Sequence, residues 1–152
     1  MTVIDICKKP VVTAHPDETV AEAARRMRDR HVGDLVVADT QGRPAGILTD
    51  RDIVVSAVAQ SPDRLTELRV GDVMTPDPTT VLANEPLEQA LTRMRLLGIR
   101  RLPVVGADGQ LEGIVAFEDV LGFVAKELGK LVDLVTREQA HEREARRPTP
   151  VA

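Results

Sequence analysis

The sequence predicts an α/β (α+β) fold made of two tandem units, each ordered strand–helix–strand–strand–helix. Three observations carry that prediction: an internal repeat at a fixed offset of 67 positions, a helix-period apolar stripe in each repeat, and a pair of β-branched runs around a glycine turn after each stripe. With 152 residues, the chain has room for one domain of ordinary size or two small ones packed together.

The repeat aligns without a gap. Asp5 meets Asp72, Thr13 meets Thr80, Glu18 meets Glu85, and Arg26-Met27-Arg28 meets Arg93-Met94-Arg95. Further on, Leu35 and Val37 meet Leu102 and Val104, Gly46-Ile47 meets Gly113-Ile114, and Asp52 meets Asp119. One register held over so long a span marks a duplication.

Each unit opens on a short β-branched run, Val11-Val12-Thr13 or Thr79-Thr80-Val81. A helix follows. In the first unit Thr19, with Glu22 three residues later, forms a capping-box pattern. Val20, Ala23, Ala24 and Met27 then recur at the spacing of one buried helical face. The second unit repeats the stripe with Leu87, Ala90, Leu91 and Met94, and Pro86 stands in place of the cap, as a first turn tolerates. Next, Leu35 to Ala38 and Ala45 to Leu48 flank a turn containing Gly42, and Leu102 to Val105 and Leu111 to Val115 flank one containing Gly109; both read as hairpins. A second helix is expected from about Asp50 to Ala59, and again from Phe117 onward. Neither unit is large enough to bury its sheet alone, so the halves should pack on each other in pseudo-two-fold fashion.

These elements place the first unit at residues 5–62, a linker at 63–71, the second unit at 72–130, and a helical extension with a frayed, charged tail at 131–152. Leu121, Val124, Leu128, Leu131 and Val135 alternate steps of three and four along the last helix. That seam can pack on its own domain or meet a partner helix.

Composition narrows the function classes. The chain contains Phe117 and Phe123 but no Trp or Tyr, so the core is aliphatic and a flat ligand would lie between aliphatic side chains. A net charge of −4 argues against nucleic acid as the main partner, since phosphate-backbone binding needs a clustered cationic surface. The single Cys7 excludes an intramolecular disulfide, and His15, His31 and His141 share no metal-ligand spacing. With no signal-peptide pattern and no apolar run of spanning length, a cytoplasmic protein without membrane contact is expected. No placed nucleophile accompanies Asp50 and Asp52, so an enzyme is not expected.

The repeat resembles the CBS domain, and the pair resembles a Bateman module. Asp72-Val73-Met74-Thr75 is similar to the family's opening motif, with Asp5-Ile6-Cys7-Lys8 as a degraded twin. Ile99-Arg100-Arg101-Leu102-Pro103-Val104-Val105 is similar to its central strand. Gly46-Ile47-Leu48-Thr49-Asp50-Arg51-Asp52 is similar to its closing strand and its Thr/Ser-x-x-Asp nucleotide-contact signature. The resemblance covers roughly residues 5 to 130. It implies a stand-alone regulatory module that binds an adenosine-containing ligand, of the AMP, ADP or ATP class, between its repeats. It further implies a homodimer and a separate regulated protein; the alternative is a scaffold or dimerisation module with no bound nucleotide.

The resemblance also names candidate residues. Asp52 would accept both ribose hydroxyls, as a carboxylate's two oxygens allow, and Thr49 would reach the ribose or a phosphate from a helix start. The same pair also reads as an N-cap with an acidic first turn, and the two roles can coexist. Arg100 and Arg101 would grip phosphate through their planar donor forks, or stand as solvated strand-entry residues. Arg51, and Lys8 with Lys9, could assist; Thr13 and Thr80 would meet the base through backbone groups. In the second copy Ala116-Phe117-Glu118-Asp119 keeps the carboxylate and loses the hydroxyl; in the first, Gly33-Asp34 stands where the second has the two arginines, and would repel a phosphate. Unequal clefts are therefore expected, with Asp119 in the weaker one.

Overall fold

A computed structural model describes residues 1–146. In chain order the first repeat supplies β1 (Thr13–Ala14), α1 (Val20–Arg30), β2 (Asp34–Ala38) and β3 (Pro44–Thr49). α2 (Asp50–Asp52) follows and continues as a wider π-type helix over Ile53–Val58, where one continuous α-helix was expected. The linker holds a 3-10 turn at Pro62–Arg64. The second repeat brings α3 (Val70–Val73), β4 (Thr75–Pro76), β5 (Val81–Leu82), α4 (Leu87–Leu97), β6 (Arg101–Val105), β7 (Leu111–Ala116) and α5 (Phe117–Ala145).

The chain divides into two compact units, residues 1–117 and the remainder of α5. Within the first, two sheets form, ordered β1-β2-β3-β4 and β5-β6-β7. Each repeat pairs its opening strand parallel to its central strand, Thr13 with Val36 and Val81 with Val104. Its central strand then runs antiparallel to the next, Leu35 opposite Leu48 and Leu102 opposite Val115. The mixed α/β class and the predicted unit order are what the structure shows.

Side-chain chemistry accounts for the helix entries. Thr19 Oγ1 accepts from the Glu22 N–H at 3.2 Å, and Glu22 Oε2 accepts from the Thr19 N–H at 2.9 Å. The bonds from Thr19 hold the Glu22 carboxyl below its usual range. α1 ends on His31 in the left-handed region at φ 53°, and α4 on Gly98 at φ 65°. Glycine takes that conformation without the clash a Cβ brings. Behind both helices stands the same clamp. Arg26 donates to the Thr13 carbonyl at 2.7 Å and pairs with Glu18 at 2.8 Å; Arg93 does the same with Thr80 at 2.8 Å and Glu85 at 2.9 Å.

The halves exchange their opening segments. β4 joins the first repeat's sheet, Ile47 opposite Thr75, and the buried Val70 sits in that repeat's core with Leu35, Val37 and Leu48. In the reverse direction the Val3 N–H donates to the Glu85 carbonyl at 2.9 Å and the Lys8 N–H to Ile114 at 2.9 Å. Val3 is fully buried as well. Burying a valine is worth about 1.5–3 kcal/mol, and these two valines place that gain across the repeat boundary.

Considered by itself, α5 continues unbroken to Ala145, well into the charged stretch expected to end in a frayed tail. Its last turns are rich in Glu, Arg, Gln and Ala, all strong helix formers. The expected frayed tail beyond residue 146 lies outside the described residues.

Candidate functional site

A cleft of about 310 Å³ is lined by Ile47 and Thr49 of β3, Thr75, Asp77, Pro78 and Thr79 of the second repeat's opening segment, and Ile99, Arg100 and Arg101 at the entry to β6. Its volume lies at the small end of ligand pockets, which run from about 300 to 1,000 Å³. The exchange of opening segments builds it: β4 runs antiparallel beside β3, with Thr75 opposite Ile47 and Pro76 opposite Gly46, and so brings the second repeat's opening segment into a lining shared with Thr49. Asp77 has φ 49°, and its N–H donates to the Ala45 carbonyl at 3.2 Å, fixing the turn.

Of the residues the sequence singled out, Thr49, Arg100 and Arg101 come together here. The Phe117 N–H donates to the Arg100 carbonyl at 2.8 Å, the counterpart of Asp50 to Gly33 at 2.9 Å. Arg101 is tied across the repeats, its Nε lying 3.0 Å from Asp34 Oδ1.

Asp52 is not among the lining residues. Its Oδ2 accepts from the Thr49 N–H at 2.9 Å and from the Thr49 hydroxyl at 2.7 Å, while Thr49 Oγ1 accepts from the Asp52 N–H at 3.1 Å. The capping box is therefore formed. Asp52 Oδ1 accepts no hydrogen bond among the described residues, so one carboxylate oxygen is not committed to the cap.

The other candidates lie apart from this lining. Arg51 is exposed, with its N–H donating to Asp50 Oδ1 at 2.7 Å. Thr80 gives its carbonyl to Arg93, although its neighbour Thr79 lines the cleft. Thr13, whose carbonyl takes Arg26, lines a separate cleft of about 580 Å³ with Pro10, His15, Arg30 and Asp39. Asp119 lies in the first turn of α5. Lys9 pairs with Glu112 at 3.6 Å, and the Lys8 backbone pairs with Ile114. Cys7 packs its sulfur over Gly113, and burial pushes its thiol up. No group of three His, Cys, Asp or Glu side chains is placed to hold a metal ion among the described residues.

Sequence reasoning missed Ile47, Thr75, Asp77, Pro78, Thr79 and Ile99. In sequence, Asp72 to Thr75 reads as the second repeat's opening motif and Thr79 to Val81 as its first strand, and neither pattern shows that Thr75 and Pro76 lie against the first repeat's β3. The available signal was the failure of either half to bury its own sheet, which calls for strands to cross between them.

The family model described as "CBS domain" matches residues 3–58 and 70–126. An uncharacterized protein of Methanopyrus kandleri is 36% identical over 123 residues, 80% of this chain and 61% of that one, so the chain spans less than two thirds of this relative's length. Among solved structures, the CBS domain pair of MJ0100, in complex with 5′-methylthioadenosine and S-adenosyl-L-methionine, superposes with a TM-score of 0.74 at 29% identity, covering 84% of this chain and 98% of that one. The CBS domain protein PAE2072 of Pyrobaculum aerophilum, complexed with AMP, superposes with a TM-score of 0.70 at 30% identity, covering 78% and 89%.

Proposed function

The chain belongs to the CBS-domain family as a tandem pair, and from that premise we propose that it is a non-catalytic regulatory module for an adenosine-containing ligand of the AMP, ADP or ATP class. The observation that carries this reading is the cleft in which the first repeat's Thr49 faces the second repeat's Arg100 and Arg101. A hydroxyl at a helix start, two guanidinium groups and the aliphatic Ile47 and Ile99 suit a phosphorylated nucleoside. Solved relatives holding AMP and S-adenosyl-L-methionine support the ligand class.

In this reading arginine donors take the phosphate, and Asp52, which stands outside the lining but is bonded to Thr49 within it, reaches the ribose through the oxygen its cap leaves uncommitted. Thr13, Thr80, Arg51 and Asp119 stand as secondary candidates outside the lining. Because the ligand spans both repeats, it favours one arrangement of their joint, and a partner protein that prefers that arrangement senses occupancy. The module works in the cytoplasm; no helix among the described residues is long and apolar enough to cross a membrane.

Calorimetric titration with AMP, ADP, ATP and S-adenosyl-L-methionine tests the reading. Saturable micromolar binding to the folded protein is expected for at least one of the four. Absence of binding by all of them would overturn it in favour of the scaffold alternative.

That alternative has its own support in α5, where Leu121, Val124, Leu128, Leu131 and Val135 are all exposed. A seam at this spacing suits a second copy, so a homodimer belongs to both readings. Leu128→Glu is expected to convert a sedimenting dimer to monomer while moving the melting temperature by less than about 2 °C, since a side chain 57% exposed contributes little to the core. An unchanged dimer would place the contact elsewhere.

A further inference from the structure

Asp34 occupies the position in the first repeat that Arg101 occupies in the second, and the structure brings the two together. Arg101 Nε lies 3.0 Å from Asp34 Oδ1, with the aspartate side chain 14% exposed and the arginine side chain 36% exposed. Arg101 lines the cleft and Asp34 does not. One member of the pair thus lines the cleft, and the other, at the start of β2, pairs with it from outside the lining.

We propose that Asp34 is a specificity-determining counter-ion, which by holding Arg101 lowers the cleft's preference for phosphorylated over unphosphorylated adenosine ligands. This inference rests on the ligand reading given above. A phosphate approaching the cleft competes with a carboxylate already bound to the Arg101 guanidinium. It also feels that carboxylate's charge through a partly buried, weakly screened path. An uncharged nucleoside meets neither penalty. The cleft therefore keeps appreciable affinity for ligands without phosphate, which a pair of uncompensated arginines would disfavour relative to nucleotides. Because the pair also ties the two repeats, phosphate that draws on Arg101 acts on their joint, whereas a nucleoside leaves the tie in place.

The test is calorimetric titration of AMP and of adenosine, at one fixed salt concentration, into wild type, Asp34→Asn, and Asp34→Asn combined with Arg101→Gln. Circular dichroism melts establish folding, and Asp34→Ser replaces Asp34→Asn if the amide does not fold. Asp34→Asn is expected to tighten AMP about five- to tenfold while adenosine changes by less than about twofold, the scale of removing one nearby like charge. Adding Arg101→Gln should abolish that gain. AMP binding by wild type that is unchanged or weaker in the folded Asp34 variant overturns the counter-ion role and leaves the ligand reading intact. Binding of neither ligand by any of the folded proteins overturns both.

Discussion

Asp52→Ala is expected to weaken binding of the adenosine ligand by about 10- to 100-fold and to lower stability by about 1 kcal/mol. The two effects have separate causes. A carboxylate that accepts ribose hydroxyls makes charge-assisted hydrogen bonds worth about 1.5–3 kcal/mol, and about 1.4 kcal/mol is a factor of ten in affinity. The stability loss comes from the capping box, in which Asp52 Oδ2 receives both the N–H and the hydroxyl of Thr49. Loss of such a cap costs about 0.5–2 kcal/mol.

Thr49→Ala removes a hydroxyl that both caps α2 and lines the cleft, and leaves the Asp52 carboxylate in place. Stability should fall as it does in Asp52→Ala, with a smaller loss of affinity. Calorimetry paired with thermal melts reads both quantities. If Asp52→Ala loses stability while ligand affinity stays within about twofold of wild type, Asp52 acts in the cap alone.

The second large effect is expected at Gly46. A Cβ there would stand 3.0 Å from the Thr75 carbonyl oxygen and closer still to Met74 Sδ. Gly113 is built the same way, with a Cβ falling 2.7 Å from Cys7 Sγ and 3.3 Å from the Lys8 carbonyl oxygen. Both glycines are the points where the opening segment of one repeat crosses the sheet of the other.

Gly46→Ala should therefore destabilise the protein by about 1–3 kcal/mol, the usual cost of overpacking, and lower the melting temperature by about 2–4 °C per kcal/mol. Combining it with Met74→Ala should cost less than the sum of the single changes, since the sulfur contact is then gone. The Thr75 carbonyl contact remains, so the double variant should still fall short of Met74→Ala. Ligand affinity should drop as well, because Thr75 and Thr79 line the cleft. A melting temperature within about 1 °C of wild type would show that β4 moves aside freely.

Much of this was legible without coordinates. Thr19 and Glu22 announce α1 because a capping box is a local device whose partners lie three residues apart. The stripes from Val20 to Met27 and from Leu87 to Met94 announce buried helical faces because helical period is also local. The turns at Gly42 and Gly109, with φ 76° and 80°, are cued by the residue that tolerates that backbone. Offset repetition then fixed the unit order, and the three motifs in register pointed to Thr49, Arg100 and Arg101 as companions.

The rest depended on which surfaces meet. Nothing local says that Val70 is buried beside Leu35, that Thr75 pairs with Ile47, or that Thr79 joins the cleft while Thr80 turns its carbonyl to Arg93. Asp34 looked like a charge hostile to phosphate in its own half, and the fold places it on the arginine of the other half. The sequence by itself determined the repeat, its elements and the residue types of one candidate half-site, because propensity, capping and periodicity act over a few residues. Only the tertiary structure decided which half-sites share a cleft and which charges are already paired, because exchange of the opening segments is driven by apolar burial between parts of the chain distant in sequence, such as Val70 and Leu35.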